Sequence, residues 1–132
     1  MQRTNPLEFT NFSKIYRVFL QMDSHLKTAY SISFEQYRIM AYILSLESKK
    51  ASVSEVSRHF ESSSPAISRK IRVLFNLNYM VDHADSKDHR VHWLNITPAG
   101  KQLALTVNNF LNDRIPELKI QIDSLLKDDL KN

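Results

Sequence analysis

Residues 51–100 constrain the fold more than any other part of this chain, because two short helices and a β-hairpin follow one another there with little room between them. A capping box, Ser52-Val53-Ser54-Glu55, opens the first helix; its hydroxyl and carboxylate satisfy two otherwise orphaned amides. The second helix opens at Ser62-Ser63-Ser64-Pro65 and runs to about Leu77. At about 100° per residue, Ile67, Ile71 and Leu74 share one side of it, and Pro65, Arg69, Arg72 and Asn76 lie opposite. Two strands follow, residues 80–85 and 90–96, joined by the wholly polar tip Ser86-Lys87-Asp88-His89-Arg90. Helix, turn, basic helix and basic hairpin predict a winged helix-turn-helix, mainly α with a small β-hairpin wing. In such an arrangement one helix enters a DNA major groove and the hairpin tip lies beside it.

The distribution of charge supports this more than its total. The formal net charge is only +4, yet residues 62–81 hold no Asp or Glu while including Arg69, Lys70 and Arg72. A solvated helix usually mixes acids with bases, because i,i+4 pairs support it. A basic face without acids is what phosphate and base-edge contacts need. Ser63 and Ser64, at the positive end of the helix, can cap it and donate to a phosphate. On the tip, Lys87 and Arg90 flank Asp88, which is expected to orient Arg90 by a charge-assisted bond. An Arg there suits a narrow minor groove. The alternative reading is a winged-helix protein-interaction module that does not bind DNA and pairs its basic face with a partner's acids.

Several classes are disfavoured. The absence of Cys excludes disulfides and thiolate zinc sites within this chain. No apolar run is long enough to span a bilayer and no signal-peptide pattern is present, so a cytoplasmic, nucleoid-associated protein of a bacterium or archaeon is expected. There is no Gly-rich phosphate loop and no Ser-His-acid set with triad spacing, so no enzyme and no cofactor are expected. If the hairpin turns about Lys87 and Asp88, His83 and His92 face each other across the strands. Two imidazoles without further ligands fall short of a site, and no metal is expected.

Outside residues 51–100 the pattern is helical. Phe12, Ile15, Tyr16, Phe19, Leu20 and Leu26 stripe a first helix. Ser33 and Gln36 cap a second, with Phe34, Tyr37, Met40, Ile43 and Leu44 inward, and the polar run of residues 45–52 ends it. Thr97-Pro98 restarts a helix carrying Leu103, Val107, Phe110 and Leu111. Pro116 breaks it before a last helix with Ile115, Leu118, Ile122, Leu125 and Leu126. With 132 residues the chain makes one domain, 1–132, in which a lobe at 33–96 carries the winged helix. The terminal helices, 6–30 and 98–130, hold more large apolar residues than one small lobe can bury, which predicts a two-fold homodimer through both termini. Phe12, Tyr16, Phe19 and Tyr37 form a candidate pocket for an apolar or aromatic effector, or else belong to the core.

In order and spacing, Ser52-Val53-Ser54-Glu55-Val56-Ser57-Arg58, residues 63–69, Met80-Val81, Asp88-His89-Arg90 and Ile96-Thr97-Pro98-Ala99-Gly100 resemble the MarR-type regulators. The run from an Asp-x-Arg wing into a Leu/Ile-Thr-x-x-Gly helix start is the more specific part. The resemblance implies a homodimeric transcription regulator, expected to be a repressor, on a pseudo-palindromic double-stranded DNA operator. It also implies a small ligand between the dimerisation helices and the lobe. By position, Ser63, Ser64, Ala66, Ser68, Arg69 and Arg72 would face the major groove and Arg90 the minor groove. The chain departs from the family pattern at Asn78, where Gly is usual, at Glu61 and Ser62 in the turn, and at Pro116.

Overall fold

Each helix of the lobe starts where a side chain can replace a missing backbone partner. The computed structural model describes the backbone of residues 6–131, with the side chains of residues 11–124 and Lys127. The elements run α1 (Pro6–Tyr30), α2 (Phe34–Ser45), β1 (Lys50–Ala51), α3 (Val53–His59), α4 (Ser64–Asn76), β2 (Met80–Ala84), β3 (His92–Ile96), α5 (Pro98–Asn112) and α6 (Ile115–Lys131). Ser33 and Ser52 form complete capping boxes with Gln36 and Glu55. Ser63 and Thr97 cap α4 and α5, each with Pro in the first turn. Asp23 of α1 adds a cap from outside: its carboxylate accepts from the Phe34 amide at 2.8 Å and pairs with Lys27 at 2.9 Å. Burial works against its charge, yet these two partners hold the Asp23 carboxyl below its ordinary value.

The apolar stripes meet in one core. Leu26 of α1, Ile39, Met40 and Ile43 of α2, Val56 of α3 and Ile67, Ile71 and Leu74 of α4 pack with Met80, Leu94 and Val107. The sheet has the order β1-β3-β2, antiparallel throughout. Its first strand is a correction to the two-stranded hairpin expected from sequence: Lys50 and Ala51 pair with Asn95 and Leu94. Two residues are too short to show a period of two, and tertiary pairing with burial of Ala51 creates the strand. Beyond Met80, β2 leaves the core and its remaining residues are exposed. Pro116 falls at the start of α6, and residues 113–114 separate that helix from α5. Leu125 and Leu126, assigned to the last apolar stripe, have side chains outside the described residues.

Candidate nucleic-acid interface

The exposed side of α4 is the side the periodicity predicts. Ile67, Ile71 and Leu74 are buried, and Pro65, Ser68, Arg69, Arg72 and Asn76 are exposed. Among the described residues neither Arg69 nor Arg72 has a carboxylate within ion-pair reach, whereas Lys70 meets Glu35 of α2 at 3.4 Å. Lys70 therefore belongs to the flank of the helix. Gln36 holds the inner side, donating from Nε2 to the Lys70 carbonyl at 3.3 Å. This bond runs between the two helices and would be missed by any local pattern.

The helix start is set by α3. Ser57, buried, donates to the Val53 carbonyl at 2.8 Å and lies 3.3 Å from the Ser64 hydroxyl. Its own carbonyl accepts from the Ser62 amide at 2.9 Å. The connecting turn bends at Glu61, which has φ of 50°. Ser63 Oγ accepts from the Ala66 amide at 3.2 Å, so its oxygen already serves the helix while its hydrogen is left to donate. Ser63 and Ser64 are exposed at this positive end, and Ala66 is half-buried behind them.

The wing tip is closed by two aspartates. Asp85 Oδ2 accepts from the amides of Lys87 and Asp88 at 3.0 and 2.9 Å, and Oδ1 accepts from Trp93 Nε1 at 3.1 Å. Asp88 Oδ1 accepts from the Arg90 amide and from Arg90 Nε, both at 3.1 Å, and Oδ2 from Nη2 at 3.3 Å. The indole, then the Asp88 and Lys87 amides, hold the Asp85 carboxyl low; the Arg90 guanidinium, then its amide, does the same for Asp88. Arg90 and Lys87 are both exposed. The strands are shorter than expected and their register differs by one. His83 pairs with Trp93 and Ala84 with His92, so the two imidazoles lie on opposite faces. The cause is a turn centred on Asp88: the Asp85 amide donates to the Val91 carbonyl at 2.7 Å, and the Val91 amide to the Asp88 carbonyl at 3.0 Å. His92 meets Asp82 instead, at 3.0 Å. Among the described residues no group of three or more His, Asp or Glu is placed to hold a metal ion.

The four aromatic pocket residues do not come together. Phe12 and Tyr16 are 67% and 64% exposed on α1, and Phe19 packs on Phe34 with ring centroids 6.2 Å apart. Tyr37 lines a groove of about 470 Å³ between α2 and α5, with Ala41, Leu44, Ile96, Lys101 and Leu105. Its hydroxyl reaches Asn108 Oδ1 at 3.3 Å, and burial pushes the phenol up. A helical period put all four on apolar stripes, but stripes on different helices meet only if the helices cross suitably.

No protein-family model matches the sequence. The transcriptional regulator SarA of Staphylococcus aureus is 20% identical over 103 residues, covering 78% of this chain and 83% of SarA. Among solved structures, the transcriptional regulator BldR of Sulfolobus solfataricus aligns over 99% of this chain and 96% of its own, with TM-score 0.72 and 23% identity. The S. aureus MepR–DNA complex aligns over 96% and 94%, with TM-score 0.75 and 15% identity. A mutant of MarR from E. coli aligns over 98% of both chains, with TM-score 0.70 and 16% identity. The chain has the fold of the MarR-type winged-helix regulators. Its departures from the MarR-type pattern have a structural reading. Asn78 takes the left-handed conformation after α4, with φ of 63°, which Asn tolerates better than most residues. Glu61 does the same within the turn without that tolerance. No described helix is long and apolar enough to cross a membrane.

Proposed function

We propose that this protein is a non-catalytic transcription regulator that binds double-stranded DNA as a homodimer, inserting α4 in the major groove with the wing beside it. The observation that carries this reading is the face of α4: Arg69 and Arg72 exposed, unpaired among the described residues, and free of acids along the helix. Ser63, Ser64, Ala66 and Ser68 extend that face, and Lys87 and Arg90 add charge on the wing. The fold shared with the MepR–DNA complex supports the same reading. In this assignment the chain is one domain, with residues 33–96 as the DNA-binding lobe and helices 6–30 and 98–130 as the dimerisation region.

Dimerisation is supported by large apolar side chains left in water. Phe12, Tyr16, Phe19 and Leu20 are exposed on α1, as are Ile115, Ile120 and Ile122 on α6. A second copy turned by two-fold symmetry would cover them and match a pseudo-palindromic operator. The α2/α5 groove, lined by Lys49 and Lys101 together with apolar side chains, suits a small anionic effector with an apolar body. Repression is the activity assigned, since a dimer seated on an operator excludes other proteins from it.

The test is fluorescence anisotropy with duplexes from the promoter upstream of the protein's own gene, at two salt concentrations. Binding is expected to weaken steeply with salt, and Arg69→Ala with Arg72→Ala is expected to abolish operator binding without changing the protein's mass in solution. Absence of salt-dependent binding to any duplex overturns the reading. Loss of a protein complex in place of DNA affinity favours the interaction module.

A further inference from the structure

An exposed arginine on a hairpin tip normally samples many rotamers and loses that freedom when it binds. Arg90 is 91% exposed, yet its amide, Nε and Nη2 all donate to Asp88. Asp88 is itself placed by Asp85, because its amide donates to Asp85 Oδ2 together with that of Lys87. The remaining oxygen, Oδ1, takes the hydrogen of Trp93 Nε1. Trp93 stands outside the buried core, half-exposed on β3, and the Lys50 ammonium of β1 lies 4.7 Å above its ring. The contacts form a continuous path from the short first strand, through the only tryptophan of the chain, to the guanidinium of Arg90.

We propose that Asp85 and Trp93, with Lys50 over the indole, are positioning residues that hold the wing tip in the form that presents Arg90 to duplex DNA. The proposal rests on the DNA-binding reading above and adds to it residues with no place on the DNA-facing surface itself. It accounts for an indole outside the core, whose N–H points at the turn. It also gives a role to the Lys50 side chain, which lies over the Trp93 ring on the neighbouring strand. Asp88 takes the Nε and Nη2 edge of the guanidinium, which leaves Nη1 free of partners among the described residues and available to a phosphate or a groove floor.

The experiment uses the full-length protein with Trp93→Phe, which keeps the ring under Lys50 and removes only the N–H, and with Asp85→Ala. Each is expected to weaken duplex binding by about fivefold, the effect of releasing one rotamer-rich side chain. In an Arg90→Ala background Trp93→Phe is expected to cost nothing more, because the path ends at Arg90. A loss of equal size in both backgrounds, or no loss in either, overturns the proposal. The exchange rate of the Arg90 Nε–H, followed by nitrogen-15 NMR without DNA, reads the tip directly. Faster exchange in both variants supports the path, and unchanged exchange overturns it. Failure of the wild-type protein to bind any duplex refutes the DNA reading, while the exchange rates still decide whether the tip is held as described.

Discussion

Replacing Gly100, the only glycine of the chain, by alanine is expected to destabilise the protein although alanine is the better helix former. A Cβ at this position would overlap the Tyr79 carbonyl oxygen and would lie 2.8 Å from Ile96 Cγ2 and 3.0 Å from the Tyr79 carbonyl carbon. The oxygen is backbone and cannot rotate away. It is also engaged, accepting from the Thr97 amide at 3.1 Å, while Thr97 Oγ1 donates to the Asn78 carbonyl at 2.7 Å. The start of α5 is therefore pinned to the residues just after α4, and relieving the overlap means pulling them apart by about 1 Å. Overpacking costs about 1–3 kcal/mol. Weakening the two Thr97 bonds adds about 2 kcal/mol, and helix propensity returns about 1 kcal/mol. The net expectation is a loss of about 2–4 kcal/mol. Equilibrium unfolding in urea, followed by far-UV circular dichroism and Trp93 fluorescence at one protein concentration, should show a midpoint lower by about 1–2 M. A midpoint equal to or above that of the wild type would refute the reasoning, since α5 would then be free to move off Tyr79.

Arg72→Ala is expected to erode the ratio between operator and unrelated DNA, as a bidentate Arg–guanine pair is worth roughly 1–3 kcal/mol of discrimination. Arg90→Ala is expected to weaken both by similar factors, which competition binding at two salt concentrations resolves. Glu61→Gly should raise the melting temperature, by up to about 1 kcal/mol in stability, because it relieves a left-handed backbone in an exposed turn. Asp23→Ala should cost stability at neutral pH and progressively less as the pH falls below the ordinary carboxylate range. The folded-state value of Asp23 is lowered, so its contribution is present above the unfolded value and is lost as the pH drops through the folded one; urea midpoints across that range check it. Light scattering at micromolar concentration should give twice the 15.4 kDa chain mass, and Phe12→Glu with Tyr16→Glu should halve it.

Local chemistry wrote much of this molecule into its sequence. The capping serines and Thr97, the Pro residues behind Ser63 and Thr97, and the spacing of Ile67, Ile71 and Leu74 all act within a few residues, so a linear reading reaches them. The same holds for the outward face of α4 and for the Asp88–Arg90 clamp, both short-range consequences of period and adjacency. These are the features on which the DNA-binding proposal depends.

Tertiary structure decided what depends on partners far away in the chain. The strand at Lys50 and Ala51 exists because Leu94 and Asn95 arrive beside it, and no two-residue segment can signal that alone. The hairpin register turned on where the tip is centred, on Asp88 and not between Lys87 and Asp88, a small shift that moved His92 from His83 to Asp82. The aromatic stripes of α1 and α2 looked alike in sequence, yet Phe12 and Tyr16 stayed exposed while Tyr37 reached a groove, because helix crossing and not periodicity sets what a stripe meets. Gly100 shows the division in one residue. Its place at a helix start is legible locally, but the reason it must lack a side chain is the Tyr79 carbonyl, which only the folded chain brings there.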